Sequence, residues 1–396
     1  MSEIKVNSIK GVGASAAAIT VNNTDGTCAA NITSLNSGQF SNRNKIYNGK
    51  MDIDQRNSGS ALTLGTNTTT YTVDRFSVQQ QGMDEATDMT AQQVDDGPDG
   101  FVHSLKITTN TAESSIANDE FVSVYQKMEG QDFQDLAYNT SGAKNITMSF
   151  YVKSSITGTF GFTAYRDEPG TDRIVNKTYT INSANTWERK TITIAGDTGR
   201  GIQNTNTSVW WNTWHLAAGS NYDSSTSSTW ENYATTNWAG GHAQDGVITT
   251  AGATWQITGV QLETGSVATD FEHRSYGQEL ALCQRYYYRW TAGASNRYLW
   301  QGQSYSTTSC FGVIKEFPVT MRVAPTSTVS GSFLPFGDDG STNGHSAFST
   351  IPVDQNTKHS LATGGWDNGS GIGGGGRCVV VRASAATDYI DASVEL

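Results

Sequence analysis

Short runs of alternating apolar and polar residues recur along most of this chain, separated by clusters of Gly, Asn, Asp, Pro and Ser. In "NITMSFYVKSS" the residues Ile146, Met148, Phe150 and Val152 fall on one face at a period of two, the pattern of a strand with one face buried. "GTFGFTAYRDE" places Phe160, Phe162 and Ala164 together, and "FVHSLKITT", "RIVNKTYTI", "WERKTITIAG", "VWWNTWHLAAG" and "TWQITGVQLE" read the same way. "YTVDRFSVQQ" alternates imperfectly but is expected to form a strand as well. The connecting pieces "DDGPDG", "NTSGAK", "DEPGTD" and "NSANT" carry turn chemistry. Helical periodicity is rare: "EGQDFQDLA" supports one short helix, and "YGQELALCQRYYYRW" sets Tyr276, Leu280, Cys283 and Tyr287 on one stripe.

These elements predict an all-β protein in four parts. Residues 1–44 are small and polar, and form an extended arm that gains order by pairing with another chain. Residues 45–274 form a jelly-roll-like β-sandwich, 275–290 a connecting helix, and 291–396 a second, smaller β domain of sandwich type. The segment from about 218 to 250 is long for a sandwich loop and is a candidate functional excursion.

Composition agrees. Hydrophobic residues make up 36% and charged residues 16% of the 396, so uncharged Thr, Ser, Asn and Gly carry the polarity, as suits strands and tight turns. Sixteen Tyr, fourteen Phe and ten Trp supply ample area for a core, which argues against disorder. A net charge of −11 without a Lys/Arg cluster excludes nucleic acid as the expected partner. No run reaches the roughly 18 apolar residues of a membrane span, and "MSEIKVNSIKGVGASAAAIT" lacks the apolar core of a secretory signal. Synthesis in a cytoplasm without membrane insertion is therefore expected. Cys28, Cys283, Cys310 and Cys378 are scattered and read as free, mostly buried thiols.

Several strings taken together resemble tail-fibre and related appendage proteins of tailed bacteriophages, of the marine and cyanobacterial podovirus type. They are "NGKMDIDQRNSG" at 48–59, "YTVDRFS" at 71–77, "ITGVQLETGSVATDFEHRSYGQELALCQRYY" at 257–287, "FPVTMRVAPT" at 317–326 and the terminal "YIDASVEL". The resemblance implies a virion structural protein, an external appendage forming a homotrimer. Residues 1–44 would dock on a tail or adaptor protein, and distal loops would face a host surface glycan. It implies no catalytic residues.

The residues themselves agree on the last point. The acidic pairs Asp167-Glu168 and Asp338-Asp339 lie in turns, and adjacency does not hold two carboxyls across a bond at the roughly 5–9.5 Å that glycosidases need. Neither a G-x-S-x-G elbow nor H-E-x-x-H is present. A polysaccharide depolymerase, and a head-attached or connector fibre without receptor role, are the alternatives to a receptor-binding fibre. No cofactor is expected and no metal: a calcium site at Asp338, Asp339 and Asn343 is weighed, but the loop lacks the full EF-hand ligand set.

Candidate receptor contacts are aromatic and polar residues in exposed loops. Trp366, Asp367 and Asn368 in a Gly-rich frame, with Asp338, Asp339, Asn343 and His345 of the neighbouring loop, offer a ring face with carboxylates and amides. Trp230 and Trp238 lie in the polar loop "STWENYATTNWAGGH". Seven of the ten tryptophans fall between Trp187 and Trp255; on the strand carrying three of them, Trp211 shares a face with His215, and Trp210 and Trp214 share the other. Glu272, His273 and Arg274 are expected to pin the turn at the domain joint rather than to catalyse.

Overall fold

The computed structural model describes residues 42–83, 88–304, 306–308, 310–336, 356–366, 376 and 378–396, together with three short strands before residue 42. Those strands, β1 (Ser8–Ile9), β2 (Ile19–Val21) and β3 (Cys28–Ala30), form a small antiparallel sheet.

Two antiparallel sheets follow. In the first, strands β4 (Leu62–Thr63), β7 (Asp88–Val94), β8 (Ser104–Thr111), β10 (Ile146–Ser154), β13 (Glu188–Ile194) and β16 (Thr254–Thr264) run in the order β13-β10-β16-β8-β7-β4. The second runs β15-β12-β11-β14-β9-β6-β5. Its strands are β5 (Thr69–Tyr71), β6 (Ser77–Gln81), β9 (Phe121–Glu129), β11 (Gly158–Arg166), β12 (Arg173–Ile181), β14 (Ser208–Ala218) and β15 (Glu231–Asn232). One apolar cluster fills the space between them. Ile146, Met148, Phe150 and Val152 of β10 meet Phe160, Phe162, Trp210 and Trp214 from the other sheet, all fully buried. The period-two pattern thus becomes the inner face of a sandwich. On β16 the alternation shifts at a bulge, where Ser149 pairs with Gln261 but Tyr151 with Thr258. Trp255 and Ile257 before it, and Val260 and Leu262 after it, all reach the core.

Two local expectations change. "YTVDRFS" is not a strand: β5 ends at Tyr71, the chain turns, and β6 begins at Ser77. Arg75 sits in this turn at φ 71°, a left-handed conformation unfavourable for a long side chain. Val73 and Phe76 are both buried on either side of it, which explains the broken alternation. The helix α3 covers only Tyr276–Gln284, after the single helical turns α1 (Ser220–Asp223) and α2 (Gly246–Thr249). Ser275 caps α3, accepting from the Gln278 amide while Gln278 Oε1 accepts from the Ser275 amide. Tyr276 is exposed and Tyr287 lies in a strand. Glu279 and Cys283 are the residues that α3 buries.

Beyond α3 the chain forms two further sheets around a separate apolar cluster that includes Phe333, Leu361, Val379, Val381 and Ile390. One has the order β17-β24-β20, from β17 (Tyr287–Thr291), β20 (Thr326–Ser330) and β24 (Tyr389–Ser393). The other has the order β21-β23-β18-β19-β22, from β18 (Tyr298–Ser304), β19 (Cys310–Glu316), β21 (Phe333–Phe336), β22 (Ser360–Trp366) and β23 (Cys378–Ala383). Among the cysteines whose side chains are described, Cys283 is a buried free thiol and Cys378 an exposed one.

Polar side chains join this part to the sandwich. Arg75, 2% exposed, pairs with Glu395. Its guanidinium lies 3.5 Å from the Tyr286 ring centroid and donates to the Lys127 carbonyl at 2.6 Å. Arg56 reaches the other oxygen of Glu395 at 3.0 Å and lies 3.6 Å over Tyr287. Arg285 grips Glu129 with two hydrogen bonds of 2.9 Å. Arg322 donates to the carbonyls of Val394 and Asn206.

These contacts make two outcomes measurable. Arg75→Ala would leave Glu395 buried beside Arg56 alone, and should cost roughly 3–5 kcal/mol in urea unfolding of the whole chain; a loss below about 1 kcal/mol would show the pair to be incidental. Asp74, fully buried beside Arg56, has its carboxyl pushed up to about 7 by burial, against the opposing pull of Arg56 and Gln55. Unfolded, it titrates near 3.8. Between those values the folded state binds the proton and the unfolded state does not. Its contribution is therefore full below the lower value and is lost as pH rises through about 7. Asp74→Asn should flatten the fall in urea midpoint between pH 4.5 and 7.5; an unchanged slope would contradict this.

Candidate functional site

Alternation along β14 sends Trp210 and Trp214 into the sandwich and leaves Trp211, Thr213 and His215 on the outer face of the seven-stranded sheet. Register places Tyr165 of β11 opposite Trp211 on one side and Lys127 of β9 on the other. Trp211 packs edge-to-face with Tyr165 at 5.2 Å and nearly parallel to Tyr125 at 5.7 Å, and the Lys127 ammonium lies 3.9 Å from its ring centroid.

The excursion after β14 folds back over this face. A knot of buried polar groups holds it down. Asn176 on β12 accepts from the Ser227 amide at 2.9 Å, and its side-chain amide donates to Thr163 and to the Asn237 carbonyl, each at 2.9 Å. Thr163 in turn donates to the Trp238 carbonyl at 2.9 Å. With that hydroxyl proton committed, His215 Nε2 must donate to Thr163 Oγ1 (3.0 Å) and Nδ1 must accept from Ser123 (2.9 Å). Burial, reinforced by nearby His242, lowers the His215 pKa well below its ordinary value, so the ring stays neutral. No buried group of the knot carries charge, which keeps the cost of desolvation small.

Anchored in this way, Trp238 is 6% exposed and faces Trp211, Tyr165 and Phe121. Tyr222 and Tyr233 from the same excursion stand at the rim, Tyr233 at 36% exposure. The result is an open cleft of about 210 Å³ lined by six aromatic side chains and Gln79. It is smaller than the roughly 300–1,000 Å³ of sites that enclose a drug-sized ligand, so it seats one ring of a larger molecule rather than the whole. The indole N–H groups of Trp211 and Trp238 are buried behind the rings and do not open on the cleft. Aromatic walls together with the tyrosines and Gln79 suit a ligand that is apolar on its faces and hydroxylated at its edges.

Of the residues singled out from the sequence, Trp238 lies in the cleft and Trp230 does not. Trp230 packs edge-to-face on Trp210 at 5.4 Å, under the Arg166 guanidinium, and its indole donates to the Ala195 carbonyl at 2.8 Å. Trp366 ends β22, where it is paired in register with Cys310. Asp338, Asp339, Asn343, His345, Asp367 and Asn368 lie outside the described residues. Glu272, His273 and Arg274 lie between β16 and α3. Glu272 accepts from the Asn44 amide at 2.9 Å, Arg274 donates to the Ile46 carbonyl at 2.9 Å and sits 3.4 Å from Glu279, and His273 packs edge-to-face with Phe271 and tilted against Phe101. Phe121, Tyr165, Tyr222 and Tyr233 were not legible as site residues, although Tyr165 had to oppose Phe160, Phe162 and Ala164 by alternation alone. Among the described residues no group of three or more His, Cys, Asp or Glu is placed to hold a metal ion, and no helix is long and apolar enough to cross a membrane.

No family model and no curated protein matches this chain. Solved structures with similar strand arrangements include the enzymatically active domain of tailspike protein 4 from bacteriophage CBA120, at 12% identity and a TM-score of 0.28, over 56% of this chain and 21% of that one. This chain thus corresponds to about a fifth of that tailspike chain. A family 11 carbohydrate-binding module from Clostridium thermocellum, in complex with a β-1,3-1,4-mixed-linked tetrasaccharide, matches over 54% of this chain and 98% of its own, at 9% identity and a TM-score of 0.25. The N-terminal CBM22-1–CBM22-2 tandem domain of Paenibacillus barcinonensis Xyn10C covers 87% of this chain and 98% of its own, at 12% identity and a TM-score of 0.25. Likenesses this distant carry no weight for what this chain binds.

The two loop tryptophans should separate experimentally. Trp230→Phe removes a solvent-exposed hydrogen bond and some ring area packed on the core, and should lower stability by about 0.5–1.5 kcal/mol while leaving ligand-induced fluorescence changes intact. Trp238→Phe should reduce those changes. The opposite pattern in a titration with oligosaccharides would place the site elsewhere.

Proposed function

We propose that this chain is a non-enzymatic structural protein of a tailed-phage particle, an external appendage of tail-fibre type that holds a host-surface glycan in the aromatic cleft over its seven-stranded sheet. The observation that carries the binding half of this reading is the convergence of six aromatic side chains from three strands and one excursion into an open cleft. Ring faces match the C–H faces of a sugar. The virion half rests on the phage-like strings at 48–59, 71–77, 257–287, 317–326 and 389–396.

On this reading the chain assembles as a homotrimer, with residues 1–44 serving attachment to the tail or an adaptor protein. A shallow cleft for one sugar ring binds weakly, with a dissociation constant in the ~mM range, and selection of the host comes from several clefts engaging one surface at high effective concentration.

Screening the purified protein against host-envelope oligosaccharides tests the binding half. Weak single-site binding that is lost in Trp238→Ala but retained in Trp230→Phe is expected; binding that survives Trp238→Ala would remove the cleft from the mechanism. The same incubations, assayed for new reducing ends, should release none, and released oligosaccharide would make the protein a depolymerase. Sedimentation mass and imaging of the intact particle test the trimer and its attachment point.

A further inference from the structure

The cleft does not end at its own wall. Gln79, which lines it, stands directly opposite Thr69 in the pairing of β6 with β5, so both side chains lie on the outer face of the seven-stranded sheet. Thr69 in turn shares a hydrogen bond of 2.9 Å with the Tyr125 hydroxyl, and Tyr125 stacks on Trp211 at 5.7 Å. Cleft and sheet edge are therefore one connected surface. Three strand spacings separate β14 from β5, about 14 Å, which is more than a single sugar ring covers.

Beyond β5 this surface enters a groove of about 530 Å³. One wall is the edge of the sandwich, with Thr69, Thr70 and Tyr71. The other is built by alternation on the three-stranded sheet. Tyr288, Trp290 and Val329 turn inward to the C-terminal core, so the residues between them turn outward. Register sets Arg289, Asp391 and Thr328 in one row across the three strands, and Tyr287, Ser393 and Thr326 in the next. Unlike the cleft, the groove falls within the roughly 300–1,000 Å³ of sites that enclose a ligand.

The charges in the groove already have partners. Arg289 donates to both oxygens of Asp391, at 2.6 and 2.8 Å, and lies 3.9 Å from the Tyr389 ring centroid. Arg56 pairs with Glu395 at 3.0 Å and lies over Tyr287. An anionic ligand would have to draw an arginine away from a carboxylate that holds it, and a cationic one would have to do the reverse. Leu62 is the one aliphatic side chain in the lining, so an apolar ligand finds little to cover it. What the groove presents on both walls is hydroxyl groups: Thr69, Thr326 and Thr328 are exposed, and Thr70 is half-buried. Each can donate and accept, as the hydroxyls of an uncharged sugar chain require.

We propose that the binding site runs continuously from cleft to groove and takes a linear, uncharged oligosaccharide. One ring sits against the aromatic side chains of the cleft, and the following rings cross β6 and β5 to lie between the threonines of the groove. This rests on the glycan reading above and adds to it a chain length, a charge class and a contribution from the C-terminal sheet.

Calorimetric titration of the whole chain with cellobiose, cellohexaose, maltose, maltohexaose and hexamannuronate tests this. In at least one neutral series the hexasaccharide should bind roughly tenfold more tightly than its disaccharide, with hexamannuronate no tighter than the disaccharide. The double variant Thr326→Ala/Thr328→Ala removes two exposed hydroxyls, and unchanged circular dichroism would confirm its fold. In it the hexasaccharide should lose affinity severalfold and the disaccharide none, whereas Trp238→Ala should weaken both. Equal affinity for the two lengths, lost in Trp238→Ala, would overturn the extended site and leave the cleft reading standing. A length advantage untouched by the threonine pair, or hexamannuronate binding as tightly as the neutral hexasaccharide, would overturn it as well. A hexasaccharide that needs the threonines but is indifferent to Trp238→Ala would remove the cleft and the continuous site together. If none of the five sugars binds, the glycan reading fails along with this one.

Discussion

The buried ion pair between Arg75 and Glu395 joins the sandwich to the C-terminal residues of the chain. Arg75 lies in the turn between the first strands of the seven-stranded sheet, and Glu395 is the penultimate residue of the chain. Neither charge is stable away from water alone. Each is kept by further partners: Arg75 by the Tyr286 ring and the Lys127 carbonyl, Glu395 by Arg56. These partners hold Arg75 in a left-handed backbone conformation that a lone arginine would avoid. Buried charges and the buried rings of Tyr286 and Tyr287 thus tie the C-terminal sheets to the sandwich, and loss of one charged partner would strand the other inside.

The strings that resemble phage appendage proteins converge on this junction. "DQR" supplies Gln55 and Arg56, and "DRF" supplies Asp74 and Arg75. "CQRYY" supplies Arg285, Tyr286 and Tyr287, and the terminal "SVEL" supplies Glu395. Gly49, in "NGK", lies so near β16 that a Cβ there would meet the Val260 carbonyl at 2.2 Å. What looks like a scattered signature is one contact surface cut into pieces by chain order. The cleft is built from different residues, on strands and an excursion outside those strings apart from the shared sheet. Holding the joint and contacting a ligand are thus carried by separate sets of side chains.

The excursion shows how the sandwich makes that separation work. The segment 219–250 packs Trp238 and Ala239 against Phe121, Tyr165 and Ile174, and polar contacts fix where Trp238 lies. These are neutral hydrogen bonds to Asn176, Thr163 and the neutral His215 ring, which cost little to bury because every partner is matched. Tyr222 and Tyr233 remain partly open to solvent, held by backbone pairing of the excursion rather than by burial of their own rings.

Alternation by itself determined the sandwich strands and which of their residues face inward, because side chains on a strand repeat every two residues and one face must leave water. It therefore separated Trp210 and Trp214 from Trp211 and His215, and opposed Tyr165 to Phe162. It misjudged "YTVDRFS", where a turn buries Val73 and Phe76 from either side, and it extended α3 into a strand that only pairing with β24 defines. Trp230 and Trp238, eight residues apart in one polar loop, looked equivalent. Tertiary structure alone sent one beneath Arg166 and the other onto the outer sheet, because the anchors that decide between them, Asn176, Thr163 and Ala195, lie some 35 to 75 residues away in the chain. Local pattern records which residues must leave water; it does not record which distant partner they meet there.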